Sequence, residues 1–351
     1  MKKNIAVVGT VGIPACYGGF ESLVENLTKE SSNNIQYTVF CSSENYKKKL
    51  CEHNGAKLIY LPFRANGMQS VVYDIVSLFL CVFKRYDSVL ILGVSGCLFL
   101  PVFRLLSKAK IITNIDGLEW KRDKWSKLAK VFLKLSEAIA VKYSDVVIAD
   151  NQAIGDYVTK EYGKSNEIIA YGGDHALISS EIGSIDNYFL SVCRIEPENN
   201  VHIILEAFSN LDEKIIFIGN WDSSEYGLDL KERYSKFDNI EILEPIYDVK
   251  QLYFLRRQCI GYIHGHSAGG TNPSLVEIMH FSKPVFSFDC SFNRYSTENA
   301  SYYFSDVASL TSGVISFDFA TTGLEMGRIL KEIAQRRYTW NVVKNQYESF
   351  Y

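Results

Sequence analysis

The stretch Cys259–Phe304 constrains the fold more than any other part of the chain. CIGYIH is a short apolar run of strand type, and the GHSAGGTN that follows is too rich in glycine and small residues to be strand or helix. The loop closes on a helix: Asn272 can cap it, Pro273 can take the first helical position, and Leu275, Val276 and Met279 have helical apolar spacing. A helix start presents unpaired N–H groups and partial positive charge, so the Gly269, Gly270, Thr271 and Asn272 loop is a physically sound place for a phosphate. Glycine loops also precede helices in α/β proteins that bind nothing there, and spacing leaves both readings open. Glu277 is the acidic residue nearest the loop. Lys283–Phe288 and Asn299–Phe304 read as further parallel strands, separated by a short helix around Phe292–Ser296.

The same alternation runs through the whole chain. Apolar runs at 5–9, 36–41, 57–61, 89–92, 110–114, 146–150 and 167–171 are separated by helical patterns, and a second set follows at 188–193, 214–219 and 239–243. Such alternation implies parallel sheets covered on both faces, with right-handed crossovers that bring the strand-to-helix loops to one edge. A chain of 351 residues exceeds what one core usually supports. Two α/β domains are expected, 1–172 and 173–323, joined at Gly172 and Gly173, with a helical tail 324–351 crossing back to the first.

Composition narrows the class of function. A net charge of −3 does not suggest a nucleic-acid binder. The eight cysteines are scattered without a C-x-x-C pair, which suits buried thiols in a reducing cytoplasm. No histidine cluster has metal-ligand spacing, and His264 and His266 are open to loop hydrogen bonding or to a ligand role. The uncharged segment Ser88–Phe103 is interrupted by Gly93, Gly96 and Pro101, so it reads as strand, turn and helix rather than as a membrane span.

Two loops of the first half carry further candidates. GTVGIPACYGGFE opens from the first strand, with Gly18 and Gly19 ahead of a helix; its spacing is not that of a dinucleotide fingerprint. Tyr17 and Phe20 flank those glycines, and Tyr17 is open to sugar contact or to packing. In NIDGLEWKRDKW, Asp116 and Glu119 follow a strand end, where carboxylates either cap helices or do chemistry. Between Arg104 and Lys142 there are ten Lys or Arg against four acids, and Trp125, Leu128, Phe132 and Leu135 share one helical side. That pattern fits a helix lying on an anionic membrane surface, or a solvated helix covering the sheet.

GTNPSLVEIM with KPVFSFDCSFNR resembles the donor-site segment of the retaining glycosyltransferases of family 4. GTVGIPACYGGFE and DGLEWKR are similar to the rhamnosyltransferase branch of that bacterial family. The resemblance implies the GT-B fold, two Rossmann-like doubly wound parallel-sheet domains with a nucleotide-sugar donor site in the cleft between them. It assigns the donor to Gly18, Gly19, Arg194, the Gly269–Asn272 loop and Glu277, and the catalytic or acceptor side to Asp116 and Glu119, with Tyr17, Phe20 and His266 as further sugar contacts. In the family a Glu-x7-Glu pair serves donor sugar and ribose; here Glu277 keeps the second position and Gly269 occupies the first. An Arg and a Lys grip the donor phosphates; here Arg194 is kept and Asn199 stands where the Lys would be. The implied activity is retaining transfer of L-rhamnose from dTDP-β-L-rhamnose to a lipid-linked or growing cell-surface polysaccharide at the inner face of the plasma membrane. No cofactor is implied. The absence of D-x-D from the sequence favours a metal-free reaction. A UDP-hexose transferase, a nucleotide-sugar epimerase and a non-catalytic nucleotide-sugar binding module are the alternatives.

Overall fold

The computed structural model describes residues 2–16, 18–118, 120, 126–178 and 186–351. Tyr17, Glu119 and the basic segment 121–125 therefore lie outside the described residues. The chain divides into two compact units, Met1–Tyr171 with Trp340–Tyr351, and Gly172–Thr339.

Unit 1 is built on β1 (Lys3–Val8), β2 (Ile35–Ser42), β3 (Glu52–His53), β4 (Ala56–Leu61), β5 (Ser88–Leu92), β6 (Lys110–Asn114), β7 (Val146–Ala149) and β8 (Glu167–Ile168). Their order across the sheet is β3-β4-β2-β1-β5-β6-β7-β8. Every pairing is parallel except the two-residue β3 against β4. Ile5, Val8, Val39, Phe40, Leu90 and Ile111 are buried in its centre, as expected of strands covered on both faces. The helices are α1 (Gly19–Lys29), α2 (Gln69–Lys84), α3 (Leu100–Leu106), α4 (Lys127–Tyr143) and α5 (Gln152–Tyr162).

Unit 2 carries β9 (Tyr188–Val192), β10 (Lys214–Ile218), β11 (Ile240–Leu243), β12 (Gly261–His264), β13 (Val285–Phe288) and β14 (Tyr302–Phe304), all parallel, in the order β11-β10-β9-β12-β13-β14. Its helices are α6 (Val201–Ser209), α7 (Glu225–Tyr234), α8 (Val249–Gln258), α9 (Pro273–Met279), α10 (Ser291–Ser296), α11 (Val307–Ser316) and α12 (Leu324–Arg337). Phe189, Phe208, Phe217, Trp221, Phe286 and Phe304 form the centre of its core, with edge-to-face contacts such as Phe189 on Phe208 at 5.4 Å.

The tail departs from a single helix crossing back. α12 stays in unit 2, where a side chain on Gly327 would run into the Ser282 carbonyl, so the helix backbone lies directly on that turn. Tyr338 ends it: its hydroxyl donates to the Ser296 carbonyl, and its own carbonyl accepts from Gly173 N at 2.7 Å. Only α13 (Trp340–Glu348) and the last residues join unit 1. There the buried Tyr347 hydroxyl accepts from Asn114 Nδ2 at 2.8 Å, and Tyr351 packs edge-on against Tyr37. Tyr347→Phe, which leaves the buried Asn114 amide short of a partner, should cost about 1–2 kcal/mol, and Tyr347→Ala about 3–5 kcal/mol, in urea unfolding. Equal and small losses from both would mean that α13 contributes little to unit 1.

Candidate functional site

In unit 2 the loops after β9 and β12 are fastened to each other. Asn199, 2% exposed, donates from Nδ2 to the Arg194 carbonyl at 2.7 Å, and its Oδ1 lies 2.6 Å from His266 Nδ1. An amide oxygen can only accept, so His266 carries its proton on Nδ1. Asn200 donates to the Gly265 carbonyl, Ser267 to the Glu198 carbonyl, and Asn293 to the His266 carbonyl. A Cβ at Gly265 would lie 2.1 Å from the Asn199 carbonyl, so only glycine permits this approach. The position of the missing lysine is thus filled by an internal fastener. Arg194 remains as the cation, its guanidinium 3.5 Å from Glu196 and its side chain 41% exposed.

Gly269 has φ +117°, and a Cβ there would come within 3.0 Å of His266 Nε2. A glutamate at this position would strain the backbone and displace His266, so its absence is built into the loop. Thr271 is buried, and Asn272 caps α9 by accepting from Ser274 N at 3.0 Å. Glu277, one turn into α9, is ion-paired with the buried Arg256 of α8, and its other oxygen lies 3.3 Å from His175 Nε2. Burial by itself would raise its carboxyl; Arg256 first and His175 next outweigh that and hold it below the ordinary value. His264, at the end of β12, is buried and stacked on Tyr262, and burial drives its pKa down to about 3. It is a neutral core group.

In unit 1 the β1–α1 loop is organised by a carboxylate that the glycine-centred reading passes over. Glu21, 7% exposed, accepts from Thr10 Oγ1 at 2.9 Å and from Val11 N at 2.8 Å. Gly18, at φ +141°, lies beneath its other oxygen, and Gly19 lies against Tyr171. Phe20 is placed near Gly93, at the end of β5. Tyr171 is buried, and burial, then the charges of Asp116 and Asp150 and of Glu21, push its phenol well up. Asp116 sits at the end of β6 with φ +64°, its N–H donating to Asn114 Oδ1 at 3.0 Å. α4 is capped by Ser126, not by Asp116.

Trp120 of the DGLEW motif is anchored to a buried carboxylate hub. Glu137 of α4 accepts from Trp120 Nε1 at 3.1 Å and from Tyr157 and Tyr162 at 2.6 Å each. The Lys134 ammonium lies 4.7 Å from the Trp120 and Tyr157 ring centres and 4.9 Å from that of Tyr162, and it pairs with Glu161. Lys134, with its side chain 30% exposed, is therefore engaged by this cage rather than free on a basic surface. Among the described residues no cluster of histidine, cysteine or acidic side chains could hold a metal ion.

Residues 178–306 match the family described as glycosyl transferases group 1, and residues 2–174 match a domain of unknown function, DUF1972. The glycosyl transferases group 1 match lies within the second unit. The Arg194 loop, the Gly269 loop and Glu277 all lie within the residues of this glycosyltransferase match. Sucrose-phosphate synthase from Thermosynechococcus elongatus superposes with a TM-score of 0.84 at 12% identity, covering 100% of this chain and 98% of that one. Anabaena HepE in complex with UDP-glucose gives 0.73 at 13% identity, with 99% of each chain covered. The catalytic domain of Arabidopsis thaliana starch synthase IV, bound to ADP and acarbose, gives 0.72 at 10% identity, covering 99% and 98%. At such identities the likeness establishes the fold, which is GT-B. No match is found among curated proteins.

Arg256 and His175 were not visible as partners of Glu277 in the sequence, and their role is testable through pH. A carboxylate whose folded pKa is depressed contributes stability above its unfolded value and loses it as pH falls through the folded value. Acidification below the ordinary glutamate value of 4.5 should therefore destabilise the wild type more than Glu277→Gln. At neutral pH, Arg256→Met should cost about 3 kcal/mol in urea unfolding, because it strands a buried carboxylate. Identical acid dependence of wild type and Glu277→Gln would contradict the pairing.

Proposed function

We propose that this protein is a retaining, metal-independent glycosyltransferase that moves a sugar from a nucleoside diphosphate to a lipid-linked or growing cell-surface glycan. The observation that carries this reading is the fastened pair of loops bearing Arg194 and Gly269–Asn272, with Glu277 behind them, inside a domain matched by a glycosyltransferase family. Arg194 and loop amides take the diphosphate, since a guanidinium can grip two phosphate oxygens at once. The Glu277 oxygen beside His175 takes a ribose hydroxyl, while Arg256 holds the other oxygen and keeps the carboxylate charged.

Transfer forms the bond between the sugar's anomeric carbon and the acceptor oxygen as the bond to the donor phosphate breaks. The departing phosphate takes the acceptor proton on the same face, so no protein nucleophile is needed and configuration is retained. Asp116 is assigned to the reacting centre on the acceptor side, Phe20 to the acceptor or sugar, and Gly18 and Gly19 to the donor. An acceptor on a lipid carrier places the work at the inner face of the plasma membrane.

The donor sugar is proposed to be L-rhamnose, from dTDP-β-L-rhamnose. A carboxylate at position 269 would suit D-hexose hydroxyls, and a buried one left unpaired would be costly, so a site for a 6-deoxy sugar does better without it. The backbone at Gly269 makes that carboxylate hard to accommodate. A UDP-hexose is the second reading, favoured by the UDP-glucose bound to HepE.

Turnover of dTDP-β-L-rhamnose should exceed that of UDP-galactose, UDP-glucose and UDP-N-acetylglucosamine on one acceptor, and should survive EDTA. Preference for a UDP-hexose would overturn the donor choice, and loss of activity that Mg²⁺ restores would overturn the metal-free diphosphate grip. Asp116→Asn should lower turnover by orders of magnitude with donor affinity retained. A loss confined to thermal stability would reduce Asp116 to a structural residue.

A further inference from the structure

Unit 1 presents an apolar face that its own fold leaves uncovered. Of the seventeen exposed large hydrophobic side chains among the described residues, ten fall between Met68 and Leu135, on α2, α3 and α4 or at the start of α2. These helices are neighbours, α2 touching α3 and α3 touching α4. The exposed residues follow one stripe on each long helix, at 68, 72, 79 and 83 on α2 and its cap and at 128, 131 and 135 on α4. Exposure is extreme for such side chains: Leu105 is 86% exposed, Leu128 84% and Phe83 68%. Phe79 and Phe83 pack edge to face at 5.1 Å, forming an aromatic ridge along α2. Contiguous apolar surface of this kind marks an interaction site.

Charge identifies the occupant. The three helices contain only two acids, Asp74 and Glu137, and both are buried. Every charged side chain that reaches solvent from these helices is a cation, including Lys84, Lys127 and Lys130, and Lys108 follows α3 directly. In a chain of net charge −3, this concentration is local. A second copy docked by the same face would set cation against cation, which opposes a symmetric dimer. Apolar side chains rimmed by lysines match a bilayer surface instead, where the former enter the acyl boundary and the latter meet anionic headgroups.

We propose that the α2–α3–α4 face seats unit 1 on an anionic lipid bilayer, with Phe79, Phe83, Leu105, Leu106, Leu128 and Val131 entering it. The inference rests on the lipid-linked acceptor proposed above and supplies the surface by which the enzyme would reach it. The attachment differs from a single basic interfacial helix: three helices contribute, and Lys134 is engaged by its cage.

The full-length protein should co-sediment with phosphatidylcholine vesicles containing phosphatidylglycerol, bind weakly to phosphatidylcholine alone, and release as salt rises. The double variant Leu105→Glu/Leu128→Glu should lose roughly tenfold or more in vesicle partition. Because both residues are exposed, its circular dichroism and its turnover on a water-soluble acceptor should be unchanged. Absence of binding to the anionic vesicles, or equal binding by the double variant, would overturn the proposal. So would a concentration-dependent dimer dispersed by the same substitutions, which would give the face to a second copy. Vesicle binding without sugar transfer under any donor would leave this face assigned and overturn the glycosyltransferase reading alone.

Discussion

Asn199 meets three demands with one amide: it is buried, its Nδ2 holds the Arg194 carbonyl, and its Oδ1 fixes the proton of His266. The loop after β9 and the loop after β12 are held at one edge of the unit 2 sheet because of it. Arg194 owes its position to that fastening, and the Gly269 backbone turns against a His266 that the same amide holds. A lysine here would bring a second cation and lose the fastener, since an ammonium cannot accept from His266. The two loops of unit 2 are thus held to each other by a neutral amide.

Buried carboxylates play the corresponding part elsewhere. Glu21 gathers the β1–α1 loop, Glu137 gathers Trp120, Tyr157, Tyr162 and Lys134, and Glu277 is matched by Arg256 and His175. Each carboxylate is taken from water and compensated by several donors, so losing one partner leaves the rest in deficit. Glu21 and Glu277 lie in the first two turns of the helices that follow β1 and β12, near the edge where doubly wound sheets bind ligands. The third, Glu137, acts at a distance by anchoring the end of the Asp116–Trp120 segment.

The parallel strands were legible to within about three residues because strands covered on both faces read as unbroken apolar runs. β3 escaped notice as a two-residue antiparallel edge with no apolar content. The tail kept helical periodicity across Tyr338, and nothing local marks the break there: it is made by hydrogen bonds to Ser296 and Gly173, far away in the chain. The same distinction runs through the site. Glycine loops, the Asn272 cap and the Arg after β9 are local patterns, whereas Asn199 with His266, and Arg256 with Glu277, are brought together only by the fold. Hydrophobic spacing on α4 put Leu128 and Leu135 on one side of an amphipathic helix, and both are exposed; the buried side, Ser136, Glu137, Ala140 and Val141, has no strong apolar pattern to mark it.

Retention is the central chemical claim, since it follows from a donor phosphate that both leaves and takes the acceptor proton on one face. The direct measurement is the anomeric configuration of the purified product by NMR, read from the one-bond carbon–proton coupling at the transferred sugar. A β-linked L-rhamnoside from dTDP-β-L-rhamnose is the result predicted. An α-linked product would require attack from the opposite face with a protein base aligned behind the acceptor, and would contradict the account.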